Sequence, residues 1–248
     1  MSELQHPESR SFELVADIYE QARPEYPPAA IEWMAEQLEL GPGRTVLDLG
    51  AGTGKLTRAL VTTGARVIAV EPGAAMLAQL ERAVPGAEAL QGAAEAIPLP
   101  DASVDAITIG QAFHWFRHGE AVPELFRVLR KPGCVALLWN NRDPGDSLQT
   151  EITKLIKQLP GRRARVEHSS RRLTKSGLFG PIEERRFSFV QELDADGLVA
   201  RVASISYVAA APAEERAELE RQLRQLVAAH GGRIPFPYVA DVYVSRAV

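Results

Sequence analysis

The sequence predicts an α/β fold: a mostly parallel sheet of seven strands, helices on both faces, and an antiparallel C-terminal edge strand. Three observations carry that expectation. Short apolar runs alternate with segments of helical periodicity from Thr45 to Trp139, and apolar runs joined by helices imply a parallel sheet covered on both sides. The first run, Val46-Leu-Asp-Leu49, passes into Gly50-Ala-Gly-Thr-Gly54, a turn bare enough for backbone to come within contact distance of a ligand. After Trp139 the strand–helix rhythm changes, and the chain closes on the alternating run Tyr238-Val-Ala-Asp-Val-Tyr-Val244, which suits an edge.

The elements follow in order. Ser11 to Arg23 reads as a helix with Phe12, Val15, Ile18 and Tyr19 on one face, preceded by a polar stretch expected to fray. Arg23-Pro-Glu-Tyr-Pro-Pro28 ends it, because proline cannot continue a helix and restricts its predecessor. A second helix spans Ala29 to Leu38. Strands are expected at Thr45–Leu49, Arg66–Val70, Ala87–Gln91, Val104–Ile109 and Cys134–Trp139, with helices starting near Lys55, Gly73 and Gly119. In the last of these, Val122, Leu125, Phe126 and Leu129 share a face, and Lys131-Pro-Gly133 is the expected stop. A helix at Asp146–Leu159, a strand at Ile182–Leu193 and helices at Asp196–Tyr207 and Ala213–Ala229 complete the reading.

Size and composition set bounds. A chain of 248 residues suits one large domain over 1–248: an N-terminal helical lid (1–40), a core (41–142) and a substrate-side portion (143–248). Its 46% apolar and 24% charged residues are those of an ordinary soluble globule. A net charge of −4 disfavours nucleic acid and anionic membrane as partners. The single cysteine, Cys134, lies in an apolar run and is expected to be a buried thiol. With no disulfide framework, no apolar leader and no run long enough to span a bilayer, a cytoplasmic protein is expected, as monomer or homodimer.

The chemistry gathers around the glycine turn. The second strand ends in Glu71, about 20 residues beyond Gly50, where a ribose-binding carboxylate sits in dinucleotide-type folds. The spacing Gly50-x-Gly52-x-Gly54 is not Gly-x-Gly-x-x-Gly, which counts against a nicotinamide enzyme. A nucleoside cofactor at the carboxyl ends of parallel strands is the expectation from the residues alone.

A family resemblance sharpens it. Leu47-Asp-Leu-Gly-Ala-Gly-Thr-Gly54, Val70-Glu-Pro72, and Ala94-Glu-Ala-Ile-Pro-Leu-Pro-Asp101 followed by Ser103-Val-Asp-Ala106 resemble the class I S-adenosylmethionine-dependent methyltransferases of the type-11 branch, whose fold is Rossmann-like. Tyr19-x-x-x-Arg23-Pro-x-Tyr-Pro27 and Gln111-Ala-Phe-His-Trp-Phe116 are similar to small-molecule methyltransferases related to the trans-aconitate enzymes. The resemblance covers about residues 11–142 and implies S-adenosylmethionine as cofactor and methyl transfer to a small molecule, with a carboxylate or hydroxyl oxygen favoured.

It also implies roles. Gly50, Ala51 and Gly52 bring backbone to the methionine part of the cofactor. Asp48 holds its ammonium, or stabilises the turn. Glu71, followed by Pro72, accepts from the ribose hydroxyls. Met76 packs on the adenine or in the core with Leu77 and Leu80, and Ala94 and Glu95 flank the adenine edge. Gln111 sits where the fourth strand ends, its carbonyl toward the ammonium. Tyr19 or Arg23 meets the cofactor carboxylate from the lid. His114 is the candidate general base or acceptor orienter, with a structural role as the rival reading. Trp115 walls the pocket or the core; Trp139, Asn141, Arg142 and Tyr207 stand on the acceptor side. The basic run Arg162, Arg163, Arg165, Arg171, Arg172, Lys175 is a solvated face or an electropositive rim. No His/Cys cluster has zinc spacing. The alternatives are a catalytically silent S-adenosylmethionine-binding protein on the same fold and a nucleic-acid methyltransferase; the latter is disfavoured because Gln111-Ala-Phe-His stands where Asn/Asp-Pro-Pro-aromatic is required.

Overall fold

The computed structural model describes residues 23–143, 145–159 and 170–248. The expected helix over 11–23, the frayed start and Tyr19 lie outside them, as do Arg162, Arg163 and Arg165. Helix α1 (Pro28–Gln37) starts on Pro28, whose fixed φ and missing N–H suit a first helical position. Then come β1 (Thr45–Leu49), α2 (Lys55–Val61), β2 (Arg66–Glu71), α3 (Ala74–Ala83), β3 (Glu88–Gln91), β4 (Val104–Gly110), α4 (His118–Val128) and β5 (Leu129–Arg142). The remainder is α5 (Ser147–Ile156), α6 (Arg171–Lys175), β6 (Glu183–Leu193), α7 (Ala195–Ala203), α8 (Ser206–Ala209), α9 (Ala213–Ala229) and β7 (Ile234–Arg246).

Seven strands form one sheet in the order β3-β2-β1-β4-β5-β7-β6. Strands β1 to β5 pair in parallel, and β7 inserts antiparallel between β5 and β6, leaving β6 at the edge. This is the Rossmann-like sheet the sequence predicts. One face packs Leu47, Ile107, Val135 and Leu137 against Val122 and Leu125 of α4; the other packs Val46, Val67, Ala136 and Leu138 against Met34 of α1 and Leu60 of α2. A third apolar cluster joins α5, α7 and α9 to the start of β7 through Ile152, Leu198, Leu223 and Phe236. Cys134 is a buried free thiol whose pKa is raised by burial. The strand order turns back on itself between β1 and β4, which opens a crevice at their carboxyl ends.

Three boundaries differ most from expectation, each for a local reason. Helix α4 stops at Val128, and β5 begins at Leu129, five residues before Cys134, because Leu129 is extended and pairs with Val104. The helix expected over 196–207 breaks at Ser204, whose hydroxyl donates to the Arg201 carbonyl (2.8 Å). Strand β7 starts at Ile234 despite Pro235 and Pro237; at those positions it pairs with β6 but β5 pairing has not begun, so a missing N–H on that side costs no ladder bond.

Gly50 has φ +69°, and a Cβ there would lie 2.7 Å from the Cβ of Ala112. Gly50→Ala is therefore expected to lower stability by ~1–3 kcal/mol in urea unfolding. A loss below about 0.5 kcal/mol, the range of ordinary surface changes, contradicts this reading of the turn.

Candidate active site

The turn after β1 is held by its own amides. Gly50 and Ala51 both donate to the Val70 carbonyl (2.8 and 3.2 Å). The next amide, Gly52, donates to Oε2 of Glu71 (2.9 Å), and Gly73 donates to Oε1 (2.9 Å). One nearly buried carboxylate thus ties the turn after β1 to the turn after β2. Below it, Asp48 is only 1% exposed and accepts from the hydroxyls of Thr57 (2.6 Å) and Thr108 (3.2 Å). Burial pushes its pKa up to about 6 against these bonds, and the Glu71 charge adds to the rise.

Across the switch point, Gln111 is non-glycine with φ +58°, a left-handed residue at the end of β4. Its amide donates to the Leu138 carbonyl (2.9 Å) and its side chain to the Asn140 carbonyl (3.3 Å). A solvent-open cleft lies between these turns. Ala51, Gly52, Gln111, Asn140, Arg23 and Arg201 all line it. The segment before α1 crosses the same opening. Glu25 pairs with Lys55 (3.0 Å) and Arg58 (3.3 Å), its carbonyl accepts from the Asn140 side chain (3.3 Å), and Arg23 donates to the Ser204 carbonyl (3.2 Å). The Tyr26 hydroxyl packs where a side chain on Gly110 would stand. The Asn140 Oδ1 is buried with no hydrogen-bond donor among the described residues.

Other expected site residues are placed as follows. Met76 is buried with its sulfur beside the Gly52 turn, and Pro72 is exposed, its carbonyl accepting from Gln91 (3.1 Å). Ala94 is buried, while Glu95 accepts from the Arg117 amide (2.7 Å) at the start of α4. The loop after β3 is pinned from α4: Glu124 accepts from the Ile97 amide (2.9 Å), and Arg127 donates to the Ile97 and Leu99 carbonyls (3.0 and 2.8 Å). The Glu124–Arg127 pair (2.7 Å) holds the carboxyl below and the guanidinium above their ordinary pKa values. His114 and Trp115 form the short 3-10 turn with Phe113, rings 4.7 Å apart, both half-buried and neither among the cleft's lining side chains. Arg171, Arg172 and Lys175 are exposed on α6.

At the end of β5 the expected residues divide between the two faces of the sheet. Trp139 is 1% exposed in the core, edge-on to Tyr243 (5.6 Å), rather than on the acceptor side. Asn141 donates to Asp241 (2.5 Å) and does not line the cleft. Side chains alternate along a strand, so Trp139 and Asn141 share one face while Asn140 and Arg142 take the other. Arg142 is half-buried and donates to the Thr153 hydroxyl (3.0 Å); Tyr207 is half-buried nearby and supports its charge. The residue sequence reasoning missed is Arg201. It is 5% exposed, donates to the Tyr238 hydroxyl (2.7 Å) and reaches the cleft from α7. Its signal was present: Leu198, Arg201 and Val202 share a helical face, so a charge stands in an apolar stripe. Among the described residues, no group of three or more His, Cys, Asp or Glu could hold a metal ion, and no helix is long and apolar enough to cross a membrane.

Comparison with known proteins fits this geometry. A family model described as a methyltransferase domain matches residues 47–137, from β1 into β5. An uncharacterized methyltransferase of Mycobacterium tuberculosis is 39% identical over 236 residues, covering 93% of each chain. The chain belongs to the class I methyltransferases. A Schizosaccharomyces pombe methyltransferase, also uncharacterized, is 31% identical across 96% of this methyltransferase and 98% of its own length. Among solved structures, a protein described as a type II methyltransferase from Anaeromyxobacter dehalogenans superposes with a TM-score of 0.66 at 27% identity, covering 91% of this chain and 97% of that one.

The raised pKa of Asp48 has a pH consequence. The folded state holds the proton more tightly than the unfolded chain, so stability from this group is present below about pH 4 and lost as pH rises through about 6. Relative to Asp48→Asn, the unliganded wild type should lose about 3 kcal/mol between pH 4 and 7. Parallel unfolding curves of the two proteins across that range contradict it.

Proposed function

We propose that this methyltransferase uses S-adenosylmethionine to methylate a small-molecule acceptor, favouring a carboxylate or hydroxyl oxygen. The observation that carries the reading is the Glu71 carboxylate, tied to the Gly52 and Gly73 amides beside a cleft lined by bare backbone. A carboxylate offers two acceptor oxygens in one plane, which suits the two hydroxyls of a ribose diol. Ala51 and Gly52 present main chain to the methionine part. Arg23 faces the same cleft and supplies a fork for a carboxylate. The Asn140 Oδ1, buried without a donor among the described residues, suits an ammonium. Asp48 stands behind the turn, where its negative form is favoured by a cation in the cleft. Met76, Ala94 and Glu95 form the adenine side.

That cofactor supplies a methyl group already activated on a sulfonium, so the chain's tasks are positioning and water exclusion. The segment 23–27 covers the opening through Glu25, Tyr26 and Arg23. Gln111 fixes the rim between β4 and β5. His114, with Trp115, follows Gln111 in the same turn; we assign it to acceptor orientation, or to proton removal if the acceptor is a phenol or alcohol, which a carboxylate does not need. Arg142 and Tyr207 face the acceptor.

The test is turnover: purified protein with S-adenosylmethionine and panels of carboxylates, phenols and amines, reading S-adenosylhomocysteine release. Release with an oxygen acceptor is expected; binding without turnover of any acceptor favours a silent binder. Glu71→Gln should weaken S-adenosylhomocysteine binding by ~1–3 kcal/mol in calorimetry, since half of the charged acceptor pair becomes a donor. Unchanged affinity removes Glu71 from the site. His114→Ala should lower turnover; an unchanged pH–rate profile excludes proton removal by His114.

A further inference from the structure

Arg142 and Arg201 stand out among the arginines of this chain. Half-buried Arg127, by contrast, meets two carboxylates, those of Glu124 and Asp101. Among the described residues Arg142 and Arg201 meet neutral hydroxyls, those of Thr153 and Tyr238, with the Tyr238 ring under Arg201 (5.7 Å to the centroid). Neither forms an ion pair among the described residues. Arg201 shares the buried face of α7 with Leu198 and Val202, and Arg142 bonds to Thr153, next in sequence to the buried Ile152. Charges removed from water without a counter-charge are costly, and like charges near one another add to the cost. Burial and the charge of Arg201 both press the Arg142 guanidinium toward losing its proton.

The placement is specific. Arg142 ends β5 on the same face as Asn140, which lines the cleft. Arg201 reaches the cleft from α7, with Nε spent on Tyr238 and, among the described residues, no hydrogen bond from its terminal nitrogens. Arg201 lines the cleft, and Arg142 stands behind it, paired in the sheet with the Tyr238 that Arg201 bonds. Two neighbouring planar forks, each braced by a hydroxyl, fit an oxyanion that takes two or more N–H donors.

We propose that Arg142 and Arg201 form a two-arginine cradle for an anionic group, carboxylate or phosphate, on the methyl acceptor. The proposal deepens the functional reading above by naming the acceptor's chemical class, and it rests on that reading only for the word acceptor. An anion in the cradle neutralises both guanidiniums and fixes the acceptor at the β5 end of the cleft. The reactive atom is then aimed at the methyl group held near Gly52. Arg201 binds the anion directly; Tyr238 is a positioning residue that sets the plane of its fork.

The test uses the full chain and calorimetry. Cofactor-free protein is titrated with succinate, with inorganic phosphate and with neutral succinamide; S-adenosylhomocysteine is titrated separately. Succinate, phosphate or both should bind and succinamide should not. Arg142→Gln and Arg201→Gln should each weaken the anion about tenfold or more, with S-adenosylhomocysteine affinity within about threefold of wild type. The arm that binds identifies a carboxylate or a phosphate. If Arg201→Gln fails to fold, Arg201→Lys keeps the charge without the planar fork and should still weaken the anion. No anion binding, or equal binding by wild type and variants, overturns the cradle. Loss of S-adenosylhomocysteine affinity in the variants also overturns it, since the arginines then serve the cofactor's own carboxylate. A wild type that binds the anions but not S-adenosylhomocysteine sinks the cofactor reading and leaves the cradle standing.

Discussion

One carboxylate organises this molecule's working end. Glu71 closes β2, and its two oxygens accept from Gly52 in one turn and Gly73 in the next. Parallel strands bring the carboxyl ends of β1 and β2 side by side, and the amides of Gly50 and Ala51 lock onto Val70 across that pair. Only residues without bulky side chains let the turn fold this tightly. The bare wall facing the cleft is therefore a by-product of how the turn is fastened.

The opposite wall is built by different means. Gln111 adopts a left-handed backbone that a glycine would take without strain, and it is kept there by bonds to Leu138 and to the Asn140 carbonyl. That strain is stored where β4 meets β5, beside the cleft rather than in the core. The segment from Arg23 to Pro27 is stitched over both walls by Glu25, Asn140 and Ser204. Behind these, Asp48 is buried against two threonine hydroxyls and raised in pKa, a charge held in reserve beneath the site.

Much of this was legible in the residues. Continuous apolar runs such as Val67-Ile-Ala-Val70 are buried from both sides, and their alternation with helices fixed the parallel core. Glycines at 50 and 52 and the acid at 71 announced the turn because few other residue types tolerate it. What escaped was set by tertiary context. Asn140 and Asn141 are chemically identical, and only the facing direction of β5 sends the first into the cleft and the second to Asp241. Trp139 follows the same alternation into the core. Arg201 lies far along the chain from Arg142, so no local pattern joins them, although its place in the apolar stripe of α7 marked it as unusual. Pro235 and Pro237 concealed the start of β7, since their tolerance depends on which neighbour strand is present.

The central claim is that the Glu71-fastened turn is a nucleoside seat. A crystal structure of the protein with S-adenosylhomocysteine tests it most directly. The account requires both ribose hydroxyls within hydrogen-bond distance of the Glu71 oxygens, the Gly52 and Gly73 amide bonds retained, and the amino-acid end of the ligand against Ala51 and Gly52. Density for the nucleoside elsewhere, or a Glu71 that must abandon either amide to meet the ribose, contradicts it.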